Sequence, residues 1–453
     1  MSRVVVKFGG GSIRSVKSIR KVAEIIRGTP EAEVIVVSAF AGVTNMLSDL
    51  FVLSNKDRRL LLDKILLLHE QIASELRVPF FSNFFRNKIR DNLFCDGGVH
   101  PRKKAEVLSV GEDMSQAILA NFFIKMGICT ETLCARTLII TDAKYEKASP
   151  DLYAMRRLWS KRKSLPGVHY LIQGFLGATE HGETTLLGRG GSDYTAALVA
   201  EMIKADEVRL YKDVAGVYSV DPGYSSRAEV LSRLSFQEME ALSHRGAKVV
   251  YPPTLLPCMR ANIPIRVLST FDEDPTELLN KGTLISYEKG CLSSSTDTFD
   301  SRIRALAIRT RLVIVFIHLK KHEDKFKVHN FLETLSQKCF LDYMQHDDKS
   351  YAVVLEEIWF NRFCSRHRVF QKLASFADLN IIKNVSTLSL VGRGLSNLDY
   401  LSDAVRKLLQ NVVSVVVLYQ VGDTAFTVVV GDDEAFLTAS LLHDELVRET
   451  SLV

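Results

Sequence analysis

Nowhere in its 453 residues does the chain carry the roughly 18 uninterrupted apolar residues that a membrane helix requires. Its start, MSRVVVKF, enters a strand without the charged segment and apolar core of a signal peptide. A cytoplasmic protein with no membrane partner is expected. Cysteine is sparse: seven residues, an odd number scattered from Cys95 to Cys364 without a C-x-x-C pair, fit reduced thiols and argue against a disulfide frame or a zinc site. No side-chain metal site is expected. Charge of one sign is also missing, with 58 Lys and Arg against 53 Asp and Glu. The basic runs at 102–104 and 161–163 are short and lack interleaved aromatics, which argues against nucleic acid as a partner.

Several catalytic signatures are absent as well. No G-x-G-x-x-G occurs, so a dinucleotide-binding Rossmann unit has no support. GATEHGET (177–184) has the glycine spacing of a P-loop, but Glu183 stands where the lysine belongs and would repel phosphate. No H-E-x-x-H pair and no G-x-S-x-G elbow is present, which removes the zincin and serine hydrolase readings.

What the chain does contain is room for roughly three domains of about 150 residues each, and 47% hydrophobic residues to fill their cores. From residue 1 to about 290, short apolar runs alternate with helical patterns, the signature of strands and crossover helices in a largely parallel sheet. VVVKF (4–8), EVIVVSAF (33–40), HYLIQGF (169–175), EVRLYKDV (207–214) and IPIRVLS (263–269) are the strand candidates, and their continuous apolar runs predict a sheet covered on both faces. The first helix is expected after the glycines of KFGGGS, with Val16, Ile19, Ala23 and Ile26 on one face, Ser12 or Ser15 as N-cap and Gly28 as its stop. Residues 51 to about 90 read as a helical insertion.

A polar, serine-rich stretch, CLSSSTDTFDS, makes 291–302 a linker. Two similar units follow, 303–385 and 386–453. RLVIVFIHL, a helix near 326–337 and FLDYMQHDDKSYAVVLEE give strand, helix and two strands. TLSLVGRGL, a helix near 397–410 and VVSVVVLYQVGDTAFTVVVGDD repeat that order about 75 residues later, an internal duplication. A last helix covers about 434–448.

Charge and glycine collect at six places. KFGGGS puts Lys7 at the carboxyl end of a strand, before Gly9, Gly10 and Gly11. Glycine lets backbone N–H groups approach an anion, so this is either a phosphate cradle or a tight turn with a solvated lysine. LLGRGGSDYTAALVAEM places Arg189 between glycines and Ser192 and Asp193 at a helix mouth, a carboxylate-sized arrangement unless Asp193 merely caps the helix. In SVGEDMSQ, Ser109 and Glu112 have capping-box spacing, and by themselves they read as a cap. In VVSAFAGVTNML, Thr44 faces either a ligand or a cap. YKDVAGVYSVDP follows a strand with Lys212, Asp213, Tyr218 and Asp221, where an aromatic beside polar groups suits a purine or belongs to the core. RGAKVVYPPTL offers Lys248 at the end of a helix, as a phosphate contact or a solvated charge.

In this order, KFGGGS, VVSAFAGVTN, LSVGEDMS, QGFLGATEHGETTLLGRGGSDYTAALVAE, KDVAGVYSVDP and GAKVVYPPTLLP resemble the successive motifs of aspartate kinases. The resemblance covers the whole chain and implies an α/β amino-acid-kinase domain at 1–290 with a largely parallel sheet sandwiched by helices, followed by two α+β ACT-type regulatory units. In that family the two units interweave, so the final strand and helix are expected to complete the first. The implied reaction is ATP-dependent phosphorylation of the aspartate side-chain carboxylate, opening lysine, threonine, methionine and diaminopimelate synthesis. ATP and Mg2+ are the implied cofactors, and an amino-acid effector and a homodimer or higher homo-oligomer built through the ACT units are the implied partners.

By the same resemblance, Lys7 contacts the transferred phosphoryl group above Gly9, Gly10 and Gly11. Thr44, Glu112, Arg189, Ser192 and Asp193 surround aspartate, with Arg189 on a carboxylate and the acidic pair facing the amino group. Lys212, Asp213, Tyr218 and Asp221 line the nucleotide, and Lys248 reaches its phosphates. The chain departs from the family at Gly11, in place of threonine or serine, at Lys212 and at Tyr251. It departs further at LKKHEDKFKVHNFLETL (319–335), which lacks the glycine of the effector turn that Gly392 and Gly394 keep in the second unit. Two alternatives stand beside this reading: another carboxylate or carbamate kinase of the same fold, and a catalytically silent ACT sensor. The chain stops at Val453, so no homoserine dehydrogenase fusion is expected.

Overall fold

The structure, a computed structural model, describes residues 2–93, 100–272, 281–287, 303–336, 341–345, 347–366, 369–395, 399–410 and 412–447. The expected linker at 291–302 lies outside them. Two compact units divide the chain: Met1–Val217, Val230–Glu240 and Lys248–Leu292 in the first, and Tyr218–Glu229, Ala241–Ala247 and Ser293–Val453 in the second.

The first unit begins with β1 (Val4–Phe8), buried at every position as its unbroken apolar run demands. A 3₁₀ turn, Gly10–Ile13, then leads into α1 (Val16–Arg27). Ser15, not Ser12, caps that helix, by accepting from the Ser18 amide in a reciprocal capping box, and Gly28 closes it. Ser12 is buried and donates instead to the Tyr211 carbonyl. Next come β2 (Ala32–Val37), α2 (Val43–Asp49) and the helical insertion, α3 (Asn55–Leu76) and α4 (Ser82–Leu93). The long α5 (Pro101–Lys125) is followed by β3 (Thr130–Leu133), α6 (Leu152–Trp159) and β4 (His169–Gln173). A short antiparallel hairpin, β5 (Leu176–Ala178) and β6 (Thr184–Leu186), precedes α7 (Gly191–Ile203) and β7 (Glu207–Lys212). Then follow β8 (Arg233–Ser235), α8 (Phe236–Arg245), α9 (Pro252–Ala261), β9 (Ile265–Ser269) and β10 (Thr283–Ser286).

These strands form one eight-stranded sheet in the order β3-β4-β2-β1-β7-β9-β10-β8, parallel except where β10 meets β9. The five strand candidates of the sequence become β2, β1, β4, β7 and β9, its centre. The central strand β1 pairs in parallel with β2 and β7, so Lys7 sits opposite Val36 and Leu210. The carboxyl ends of β1, β2, β4 and β7 therefore open on the same side, where ligands bind in sheets of this kind.

In the second unit β11 (Ile303–Leu319) pairs along nearly its whole length with β14 (Ala377–Gly392). Between them lie α10 (Lys325–Ser336), β12 (Leu341–Gln345), β13 (Ser350–Glu356), α11 (Glu357–Arg366) and α12 (Val369–Ala374). After β14 come α13 (Asp399–Leu409), β15 (Val417–Val421), β16 (Ala425–Gly431) and α14 (Ala435–Leu442). The antiparallel sheet runs β12-β13-β11-β14-β16-β15. Both long strands serve two cores. Val313, Val315 and Ile317 of β11 pack with Val328, Leu332 and Phe363, whereas Ile303 and Leu306 pack with Leu388, Leu401, Val428 and Leu442. The final strand and helix, expected to complete the first unit, pack with α13 and the second half of β14, and it is the opening residues of β11, Ile303 and Leu306, that join their core.

Candidate active site

Glycine turns and crossover helices bring a group of the sequence-predicted residues together. Lys7 projects from β1 and is buried; its ammonium pairs with Asp193 Oδ1 at 2.6 Å. Lys212, at the end of the adjacent β7, pairs with Asp193 Oδ2 at 2.5 Å. Asp193 stands in the first turn of α7, whose N-cap is Gly190 in the left-handed region. The aspartate therefore does not cap the helix. Nor does it face outward for a substrate amino group, as the resemblance implied, because each of its oxygens is taken by a lysine. It organises two cations.

The charges respond to their surroundings. Burial pushes the Lys7 ammonium down, with Asp193 opposing and Lys212 adding to the fall. Burial alone would raise Asp193, but the charges of Lys212 and Lys7 outweigh it and hold the carboxyl at about 2. The two ammonium groups share one carboxylate, so each keeps donors to offer a polyanion that enters.

The glycines after Lys7 supply space. A Cβ on Gly9 would lie 3.2 Å from Lys7 Nζ, one on Gly10 3.1 Å from the Ala39 carbonyl oxygen, and one on Gly11 2.9 Å from Asp213 Oδ2. The absence of a side chain at 11, a departure noted in the sequence, gives the Asp213 carboxylate its place beside the turn. Gly174, after β4, is likewise bare because Ser192 occupies its flank: a Cβ there would fall 2.7 Å from the Ser192 hydroxyl oxygen.

Glu112 is buried in the middle of α5, since that helix starts at Pro101 under a His100 cap; the capping-box reading of Ser109 and Glu112 is overturned. Its Oε1 accepts the Ala39 amide at 3.1 Å, and its Oε2 is buried without a hydrogen-bond partner. Burial pushes the carboxyl up to about 8. A buried carboxyl oxygen without a partner is costly, and a ligand ammonium would satisfy it by drawing the group into its ionised form.

No hydrogen bond or ion pair among the described residues joins the other predicted residues to this cluster. Arg189 is exposed between Gly188 and Gly190 and has no partner among the described residues. Thr44 is half-buried at the start of α2. Lys248 is exposed three residues past the end of α8, in the connection to α9 rather than on a helix. Tyr218 and Asp221 fall in Tyr218–Glu229 of the second unit, where Asp221 accepts the Gly223 amide at 2.9 Å in its own turn. Among the described residues no group of three or more His, Cys, Asp or Glu gathers to hold a metal.

The sequence reading missed the network next to Glu112. Arg136 grips both Asp113 oxygens, at 2.8 and 3.0 Å, and also donates to Ser109 and Thr184, while Lys88 and Gln173 complete the shell of Asp113. The signal was the second acid of SVGED; its partners lie on α4, on β4 and in the turn before α6, beyond the reach of spacing arguments.

Comparison with known proteins identifies the family and the fold. The model of the amino acid kinase family matches residues 2–269. The aspartokinase of Chlamydia muridarum is 31% identical over 97% of this chain and 96% of its own. The crystal structure of Escherichia coli aspartokinase III in complex with aspartate and ADP, an R-state, superposes with a TM-score of 0.82 at 26% identity, covering 98% of this chain and 99% of that one. The same protein in complex with lysine and aspartate, a T-state, gives a TM-score of 0.74 over the same shares.

Proposed function

Since the chain belongs to the amino acid kinase family, as an aspartokinase, we propose that the Lys7–Asp193–Lys212 array is where it transfers the γ-phosphoryl group of ATP to the β-carboxylate of L-aspartate. One P–O bond to ADP breaks and one forms to a carboxylate oxygen, giving 4-phospho-L-aspartate. The nucleophile is ionised at neutral pH, so no general base is needed. The obstacle is repulsion between two anions, and positioning with electrostatic neutralisation is what lowers it.

The residues divide that work. Lys7 and Lys212 face the transferred group with Asp193 between them, and the residue 9–11 backbone offers N–H donors to the phosphates. Glu112, through its unpartnered oxygen, takes the substrate ammonium, and Arg189 takes the α-carboxylate with its planar fork. Thr44 and Ser192 complete the amino-acid side. Asp213, Tyr218, Asp221 and Lys248 serve the nucleotide, a role supported by the likeness of their motifs to the family's. With no protein cage among the described residues, Mg2+ fits as an ion carried by the triphosphate, with Asp213 the nearest carboxylate to the glycine turn. It would supply further neutralisation of the phosphates. An amino-acid effector at the ACT-like units, assembly of copies through them and a cytoplasmic setting complete the reading. The other kinases of this fold and a silent sensor gain no support, because the relatives that match along nearly the whole chain are aspartokinases.

The observation that carries the proposal is a buried carboxylate spent on holding two lysines beside an empty glycine turn. ADP release measured with aspartate, glutamate and N-acetylglutamate, beside Lys7→Ala, tests it. Turnover is expected with aspartate alone, and the variant should fall by about three orders of magnitude. Equal turnover with glutamate, or an unchanged rate in the variant, refutes it.

A further inference from the structure

The turn that carries Arg189 is walled in on both sides by aromatic rings. Gly190 is left-handed, at φ 67°, and a Cβ on it would fall 2.4 Å from Tyr251 Cβ, 2.6 Å from its Cγ and 2.8 Å from its Cδ1. Gly191 meets the other wall: its Cβ would lie 2.7 Å from Phe175 Cδ2. Neither glycine has room for a side chain, so the backbone just after Arg189 packs directly against Tyr251 and Phe175. Both rings are themselves anchored. Phe175 donates its amide to Thr195 and accepts the Leu187 amide. Tyr251 caps α9, which opens with Pro252, and its carbonyl accepts the Thr254 amide. The Tyr251 hydroxyl has no hydrogen-bond partner among the described residues, so the ring is there for its faces.

We infer that Tyr251, working against Phe175, is a positioning residue that fixes the root of Arg189, and through it the reach of the site along its amino-acid substrate. The inference rests on the reading that Arg189 binds the α-carboxylate. Arg189 itself is exposed and unpaired, so only its backbone sets where the guanidinium starts. A two-point fork tolerates little displacement. A looser turn would weaken aspartate binding and admit a substrate one methylene longer, while leaving the nucleotide side alone.

Steady-state kinetics of Tyr251→Phe, Tyr251→Leu and Tyr251→Ala, each alone and combined with Arg189→Ala, test this. Tyr251→Phe should match the parent within about twofold, because it keeps the ring. Tyr251→Ala and Tyr251→Leu should raise KM for aspartate about tenfold with KM for ATP within about twofold, and narrow the preference for aspartate over glutamate. If the alanine variant fails to fold, the leucine variant carries the test. In the Arg189→Ala background the second substitution should add less than about twofold, since coupled residues are not additive. Full additivity, an unchanged KM in both variants or a tenfold loss in Tyr251→Phe overturns the inference. If Arg189→Ala alone leaves KM for aspartate unchanged, the assignment of Arg189 is what fails, and the inference falls with it.

Discussion

Two turns of this chain have the same architecture and opposite chemistry. After β1, Gly10–Ile13 makes a 3₁₀ turn into α1; after β11, His322–Asp324 makes a 3₁₀ turn into α10. The first is preceded by the buried Lys7 and opens on Gly9, Gly10 and Gly11, the second is preceded by the exposed Lys320 and Lys321 and has no glycine. Glycine is not required by the backbone in either case. Gly9 is extended, at φ −79°, and neither Gly10 nor Gly11 is left-handed. What the first turn needs is the absence of side chains, so that the Ala39 backbone, the Lys7 ammonium and the Asp213 carboxylate can lie close against it. At the second turn Asp324, paired with Lys327 at 2.7 Å, is half of a local ion pair. The glycine-free sequence that looked like a defect in the first ACT-like unit folds into an ordinary turn.

If buried charge marks the first region, its stability should depend steeply on pH. Glu112 titrates at about 8 when folded against about 4.5 unfolded, so between those values the folded state holds a proton that the unfolded state has lost. The neutral carboxyl's stabilisation is complete below pH 4.5 and disappears as pH rises through 8, at about 1.4 kcal/mol per unit. Ala39 N–H, Asp113, Arg136 and Lys7 are the groups that face it. Urea melts of the ligand-free protein between pH 5 and 8 should therefore slope more steeply than those of Glu112→Gln, a neutral isostere. Parallel slopes would mean that Glu112 is solvated and the burial argument is wrong.

A smaller effect is expected from filling the vacancy. Gly10→Ala would bring a methyl group within 3.1 Å of the Ala39 carbonyl oxygen and 3.4 Å of Ala41 Cα, both backbone atoms that cannot swing aside. Ala39 also donates to Glu112, so the push reaches the amino-acid side of the site. We expect kcat/KM to fall between about tenfold and hundredfold, with about 1–2 kcal/mol of stability lost. Retention of full activity would show that the glycines are conformational after all, and the contrast between the turns would dissolve.

Much of this was legible in the sequence, for identifiable reasons. The central strands announced themselves because a strand covered on both faces must be apolar throughout, and VVVKF and HYLIQ are buried at every position. Short strands such as Arg233–Ser235 and Thr283–Ser286 were not foreseen, since three or four residues carry no period. The site's membership was visible in the co-occurrence of glycine and charge; its pairing was not. That Asp193 is shared by Lys7 and Lys212 depends on β7 lying beside β1, a parallel contact made across some 200 residues of chain. Glu112 looked like a cap because S-x-x-E is a local signature, and only the start of α5 at Pro101 shows that the helix has run for more than two turns before reaching it.

The least perturbing change we predict is Lys321→Gly, which puts a glycine into the second turn. Lys321 is extended, at φ −132° and ψ 139°, a region open to every residue, and its side chain is exposed. Glycine would relieve no strain there and would only enlarge the freedom lost on folding. A destabilisation of about 0.5–1 kcal/mol in a urea melt is expected, with ADP release unchanged. The same assay run with added lysine or threonine makes the substitution informative. If vacancy matters at this turn as it does after β1, the variant will acquire or sharpen a response to an effector. If the turn is merely a connection, parent and variant will respond alike, and sensitivity to an effector must be sought where Gly394 is left-handed, at φ 62°, and donates its amide to Asp423.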